Sequence, residues 1–222
     1  MKQYKIVEKF ISINGEGQRA GEISLFIRFP SCNLKCTYCD TMWANEKNVN
    51  TIYITIEDIK NDINMYNIKN ITLTGGEPLL QDDISVVIQE ILSINNKINI
   101  EIETNGSIDL SKLEKINRER VYITMDYKLP TSKMEGLMKI ENFDKLTHKD
   151  TIKFVIGSNY DLIRAKNIIK NYIKEGKVYF SPVFKEIEPK YIVEFMKEHK
   201  LTDVRLQLQM HKIIWNPDER GV

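Results

Sequence analysis

Two periodicities alternate along most of this chain. Short runs of aliphatic and β-branched residues are separated by longer stretches whose apolar positions recur every three or four residues. The first pattern reads as buried strand and the second as amphipathic helix. The run ISLFIRF at 23–29 predicts a strand. Further strands are predicted at 70–74 (NITLT), 98–104 (INIEIET), 121–127 (VYITMDY), 151–156 (TIKFVI), 178–180 and 203–208 (DVRLQL). Helical spacing fills 55–66, 79–94, 111–118, 160–174 and 189–200. Thr55 with Asp58 three residues on makes a capping box for the first of these, and Pro189 suits the first turn of the last. The weakest pattern lies at 130–150, which reads as a loop or lid, or equally as a solvated connection.

Strands alternating with helices favour parallel βαβ units. Six or seven such strands predict an α/β fold, an incomplete (β/α)6-type barrel of mostly parallel strands, in one domain over 1–222. A doubly wound open sheet is the alternative. Both architectures gather ligands at the carboxyl ends of the strands. The segments CNLKCTYC, GGEP, ETNG, DYKLP and SPVF all sit at such ends.

Cys32, Cys36 and Cys39 are the only cysteines of the chain. Three thiolates on one short loop can hold three corners of a four-iron cluster and leave the fourth iron open to a small molecule. A structural zinc site would need a fourth ligand, and His148, His199 and His211 are all distant in sequence. A disulfide would leave one thiol over.

The rest of the composition narrows little. The chain has 222 residues, 42% hydrophobic and 28% charged, with net charge +1. That length suits one sizeable domain, and the balance gives no electrostatic case for nucleic acid or a membrane surface. No apolar run approaches spanning length and the start lacks a continuous apolar segment, so the expectation is a cytoplasmic protein.

CNLKCTYC after a strand, then TGGEP at the end of the next, resembles the radical S-adenosylmethionine (SAM) superfamily. The resemblance implies a [4Fe-4S] cluster on Cys32, Cys36 and Cys39, with S-adenosyl-L-methionine chelating the open iron. One electron then cleaves the sulfonium and yields a 5′-deoxyadenosyl radical. Tyr38 matches the aromatic position that lies near the adenine.

SINGEG at 12–17 with Gly21, FIRF before the cysteines, Cys39-Asp40-Thr41, Glu103-Thr104-Asn105-Gly106, and RLQLQMHK ending at Lys212 together carry a narrower resemblance. It covers nearly the whole chain and is to the 7-carboxy-7-deazaguanine synthases of queuosine and deazapurine biosynthesis. It implies a lyase that contracts the ring of 6-carboxy-5,6,7,8-tetrahydropterin with loss of ammonia. Ile13, Asn14, Gly15, Glu16, Arg28, Thr74 and His211 would then contact the pterin. Arg28 suits the substrate carboxylate as a bidentate fork, and Glu16 suits paired N–H donors of the ring. Tyr38, Cys39, Asp40, Gly76, Glu77, Asp126, Tyr127 and Lys128 would surround SAM. Thr41 would supply an oxygen to Mg²⁺ beside the substrate. A flavodoxin- or ferredoxin-type electron donor and a homodimer complete what the resemblance suggests.

The chain departs from the family in three places. Asp126-Tyr127-Lys128 stands where many members have Ser-Pro-Lys, and Asn14 where Gln is common. Eleven residues follow His211 where related chains stop sooner, among them Trp215 and Pro217. Two other readings compete: an activating enzyme for a glycyl-radical partner protein, and a non-catalytic metal-binding module.

Overall fold

The computed structural model describes residues 2–217 and 219–222, so Asp218 in the tail lies outside the described residues. In chain order the elements are β1 (Tyr4–Ile6), β2 (Glu8–Ile13), β3 (Ile23–Phe29), β4 (Ile52–Ile54), α1 (Ile56–Tyr66), β5 (Asn70–Gly75), α2 (Ile84–Ile94), β6 (Asn99–Thr104) and β7 (Val121–Tyr127). There follow β8 (Thr151–Ile156), α3 (Asn159–Tyr172), β9 (Lys177–Pro182), α4 (Pro189–Glu198), β10 (Val204–Leu206) and α5 (His211–Ile214). The expected strands are present, and β1, β2 and β4 are additions.

The main sheet runs β10-β9-β8-β7-β6-β5-β3-β2, with β2 antiparallel to β3 and every other pairing parallel. This order follows the chain without reversal. Right-handed crossovers between successive neighbours put the crossover helices α1 to α4 on one face, so the doubly wound alternative, which needs a switch point, does not apply. β1 and β4 form a separate antiparallel pair.

Side chains alternate across each strand. One face supplies Leu25, Ile27, Leu73, Ile100, Ile102, Ile123, Met125, Ile152 and Phe154 to the core beneath the helices. The other face carries Ser24, Thr72, Thr74, Glu101, Glu103, Thr124, Asp126, Lys153 and Ser181. A parallel sheet packed on both faces would be apolar throughout; here the inner face is polar. The sheet also curls. Laid flat, β2 and β9 would stand about 29 Å apart at the usual strand spacing, while the three residues from Ile13 to Glu16 reach roughly 10 Å. Yet Glu16 accepts a hydrogen bond from Ser181 of β9 at 2.8 Å. β2 and β10 do not pair, so the barrel is incomplete.

Three connections differ from expectation. The helix expected over 79–94 is broken: a 3-10 turn at Pro78–Leu80 precedes α2, which starts only at Ile84. The helix expected over 111–118 is a single 3-10 turn, Leu110–Leu113, capped by Asp109 on the Ser111 N–H. Residues 130–150 are not a merely solvated connection, and their start packs on the cysteine loop, where Thr37 donates to the carbonyls of Thr131 and Ser132. They form 3-10 turns at Pro130–Ser132, Glu135–Leu137 and Ile140–Lys145. Phe143 and Leu146 from this stretch join the core, and the buried Asn142 amide binds Leu110 N–H and the carbonyls of Gly106 and Ile108. The segment serves as the crossover between β7 and β8.

Candidate active site

The carboxyl end of β3 delivers the chain to the cysteine loop, and β5 presses against it. Gly76 N–H donates to Phe29 O at 3.1 Å, and Glu77 N–H to Ser31 O at 2.8 Å. A Cβ at Gly76 would stand 1.9 Å from Ser31 O, and one at Gly75, whose φ is 142°, 2.3 Å from Phe29 O. Only glycine allows this approach. Two N–H groups of GGEP are thereby taken by the end of β3 and the start of the cysteine loop.

Glu77 is fully buried and acts as a brace. Its carboxylate accepts from Leu79 N–H (3.0 Å), Thr104 hydroxyl (2.8 Å) and Asn105 N–H (2.7 Å). Burial raises its pKa, against the pull of these donors. The brace continues to the cysteines: Asn105 Nδ2 donates to Asn33 Oδ1 at 3.2 Å and to Cys32 Sγ at 3.5 Å. Its Oδ1 accepts from Ser107. ETNG therefore holds the loop from below.

Burial pushes the Cys36 thiol up to about 11 and raises Cys32, the latter eased by Leu34 N–H and Asn105. Desolvated thiols stay protonated until a metal's positive charge displaces the protons. Among the described residues no three His, Cys, Asp or Glu side chains converge to hold one ion. A structural zinc site takes four ligands and the chain has three cysteines, whereas three thiolates serve three corners of a four-iron cluster. The donor set fits a three-corner cluster.

Beneath the loop the polar inner face of the sheet becomes a chain of charges. Glu16 accepts from Lys153 Nζ and from Ser181 Oγ, each at 2.8 Å. Burial works to raise its pKa, but Lys153 and Ser181 hold it below the usual carboxylate range. Lys153 also stands 3.4 Å from Asp126, which Lys128 pairs at 2.8 Å. Asp126 is likewise kept low, its burial outweighed by Lys128 and Lys153. Lys128 lies 5.8 Å from the Tyr38 ring centre. Glu103, raised by burial, accepts from the Thr74 hydroxyl. Asn14 Nδ2, Asp126 Oδ1 and the Tyr38 hydroxyl are buried without a partner. Such groups are costly unless a ligand satisfies them.

Arg28, next to Thr74 in register, uses Nε on Glu8 at 2.7 Å. The N-terminal turn is pinned from the far edge of the sheet: Gln207 Oε1 accepts from Gly17 N–H at 2.7 Å and its Nε2 donates to Gly17 O at 3.1 Å. His211 packs against Gly15, where a Cβ would meet Nδ1 at 2.7 Å. Burial lowers the His211 pKa, partly opposed by Glu16 and Asp40, so the ring is neutral at pH 7. Thr41 Oγ1 lies 3.7 Å from Cys39 Sγ and caps the turn Met42–Asn45 without a side-chain bond. Asp40 pairs Lys212 at 3.4 Å. In the tail after α5, the Arg220 guanidinium lies 4.2 Å from the Trp43 ring centre, and a Cβ at Gly221 would stand 4.0 Å from the Phe10 ring.

Residues 26–199 match the Radical SAM superfamily model. The 7-carboxy-7-deazaguanine synthase of Clostridium acetobutylicum is 53% identical over 99% of both chains. That of Chlorobaculum tepidum is 33% identical over 98% of this chain and 96% of its own. The chain belongs to the 7-carboxy-7-deazaguanine synthase family of radical SAM enzymes. The crystal structure of QueE from Escherichia coli superposes with a TM-score of 0.73 at 20% identity, covering 94% of this chain and 95% of that one, which shows the shared fold. As a radical SAM enzyme the protein uses a [4Fe-4S] cluster and SAM.

Of the site residues expected for this family, Asn14, Gly15, Glu16, Thr74, Asp126 and His211 meet on the inner face, with Arg28 at its β2 edge. The cysteines, Tyr38, Asp40 and Thr41 form the loop above. Tyr127 is displaced from the expected set: its ring is buried and stacks on Phe143 at 5.4 Å within the helix-side core. Ile13 belongs to the strand paired with Ile23. Lys153 was not expected; Ser181, Gln207 and Asn105 lie in the quoted segments SPVF, RLQLQMHK and ETNG but were given no role of their own.

Proposed function

We propose that the chain converts 6-carboxy-5,6,7,8-tetrahydropterin into 7-carboxy-7-deazaguanine and ammonia, as a carbon–nitrogen lyase in queuosine or deazapurine biosynthesis. One observation carries the reading: the cysteine loop and a built, charged inner face, with Glu16 at its centre, open on the same end of the barrel. An open groove for a glycyl-radical polypeptide gives Glu16, Arg28 and Thr41 no task, and a metal-binding module gives none to the inner face.

Cys32, Cys36 and Cys39 would hold the cluster. When bound, cluster and SAM supply a one-electron cleavage of the sulfonium that generates a 5′-deoxyadenosyl radical. The protein's own residues position and shield. Glu16, ionised and acceptor-only, receives N–H donors from the pterin's guanidine-like edge, and Asn14 Nδ2 offers a donor to its carbonyl. The Arg28 guanidinium, oriented through Nε by Glu8, presents its remaining N–H groups to the substrate carboxylate. Neutral His211 hydrogen-bonds the ring without adding charge. Asp126 Oδ1 and Tyr38 face the adenosyl half, with Gly76 and the backbone beside Lys128 lining it. The Thr41 hydroxyl would supply an oxygen ligand to Mg²⁺, a hard cation that favours oxygen donors. Partial burial and pairing of these groups would fix their geometry and limit access of stray hydrogen donors.

A radical SAM enzyme needs a reductant; a flavodoxin or ferredoxin suits this one, in a cytoplasmic homodimer with each chain one domain. Among the described residues no helix is long and apolar enough to cross a membrane. The reading is tested by anaerobic reconstitution with SAM and 6-carboxytetrahydropterin, with and without magnesium. Release of 7-carboxy-7-deazaguanine with ammonia is expected. Deoxyadenosine without a deazapurine would overturn the substrate assignment, and no deoxyadenosine would overturn the enzyme.

A further inference from the structure

Lys153 stands between two carboxylates that belong to different halves of the site. Its Nζ is 2.8 Å from Glu16 Oε2 and 3.4 Å from Asp126 Oδ2. All three side chains are at least four-fifths buried. Beyond Glu16 the contacts end at Ser181, and beyond Asp126 they pass through Lys128 to Tyr38 in the cysteine loop. Acidic and basic groups thus alternate from the substrate end to the cluster end. Each ion orients the next, because a buried charge displaced from its partner is costly. Taking Lys153 away leaves Glu16 and Asp126 as like charges facing each other, with Glu103 nearby on the adjacent strand. The pairing with Lys128 survives for Asp126, but nothing then links the two halves.

We propose that Lys153 is a positioning residue that ties Glu16 to Asp126, so that a ligand in one half of the site raises affinity in the other. This rests on the reading above, in which Glu16 receives the pterin and Asp126 faces the adenosyl group. A ligand that shifts Glu16 changes the share of Lys153 left to Asp126, and by linkage the reverse holds to the same factor.

The test uses wild type, Lys153→Met, Lys153→Arg and Ser181→Ala, each carrying its oxidised cluster so that SAM is not cleaved. Binding of 6-carboxypterin, the oxidised relative of the substrate, is followed by ring fluorescence with and without SAM. Wild type should bind the pterin roughly tenfold more tightly when SAM is present. Lys153→Met should bind it more weakly and lose the gain, whereas Lys153→Arg keeps the charge and should keep the gain. Ser181→Ala removes the other donor to Glu16; it should weaken the pterin but retain the gain. In turnover, Lys153→Met should raise KM for both SAM and substrate, and Ser181→Ala for substrate alone. The proposal is overturned if Lys153→Met keeps the gain, if Ser181→Ala loses it, or if wild type shows none. Ser181→Ala and Lys153→Arg decide the matter should Lys153→Met fail to take up its cluster. A wild type that turns over the substrate yet shows no gain sinks this proposal alone; one that neither binds nor converts a pterin sinks the functional reading with it.

Discussion

At the scale of single residues the inner face is a balance between burial and pairing, and Glu101 is where pairing runs short. It accepts from Thr124 at 2.6 Å, but its Oε2 has no partner. Burial, reinforced by Glu103, pushes its pKa up to about 7. In the unfolded chain it would titrate near 4.3. Between those values the folded state binds more protons than the unfolded state, so stability falls as pH rises from about 4.3 through about 7. Glu101→Gln should remove the share of that slope due to Glu101, leaving the smaller share of Glu77 and Glu103, and stabilise the protein at pH 8 by up to about 4 kcal/mol. Urea melts of cluster-free protein at pH 5, 6, 7 and 8 measure it, and a variant that keeps the wild-type slope would show another group responsible. Gly76 is the opposite case, a position set by space. Gly76→Ala would drive a methyl into Ser31 O and should cost at least about 3 kcal/mol, with loss of cluster uptake; cluster absorbance after reconstitution and a thermal melt report both. The glycine pair and the cysteines were plain in the sequence because only those residue types can do their work. Lys153 was not, since a lysine within TIKFVI looks like any strand residue facing water until the strand is known to line a barrel.

Elements were legible wherever burial alone decides them. β3 and the strands from β5 to β8 each pack one apolar row on the helices, and the capping box of Thr55 and Asp58 forms as read, with Thr55 accepting from Asp58 N–H at 3.2 Å. Helix boundaries failed where a side chain captures the backbone. Glu77 caps Leu79 and Asp109 caps Ser111, and each ends in a 3-10 turn rather than a full helix. β2 escaped notice because its residues EKFISI mix charge with apolar groups, as an edge strand's do. The turn after β2 depends on an element almost two hundred residues away, which no local pattern reveals. Gln207 holds both backbone groups of Gly17 and is itself buried. Gln207→Ala would leave two buried polar groups unpaired, at about 1–3 kcal/mol each. Because Glu16 precedes Gly17, the variant should raise the substrate KM at least severalfold while deoxyadenosine formation without substrate is little changed. An unaltered KM would mean that Lys153 and Ser181 suffice to place Glu16.

For the whole molecule the consequential fact is that the apolar core and the reactive end are divided by the sheet. The core cluster lies between the sheet and its helices, and Tyr127 belongs to it although its neighbours Asp126 and Lys128 face the site. The sequential strand order, which the alternation of elements left open between two architectures, agrees with that division, since it keeps the crossover helices α1 to α4 on the apolar side. The cysteine loop, in turn, is held by protein groups alone: by Gly76 and Glu77 on Phe29 and Ser31, and by Asn105 on Asn33 and Cys32. Small zinc-dependent domains lack such a core and unfold when the metal is removed. Here removal should act only as loss of a bound ligand, which lowers apparent stability by an amount set by its affinity. Stripping the iron with a chelator under anaerobic conditions is therefore expected to leave the far-UV circular dichroism unchanged and the melt cooperative, with the midpoint lowered. Collapse of the dichroism on stripping would place the cluster within the folding core and contradict the division between the two faces of the sheet.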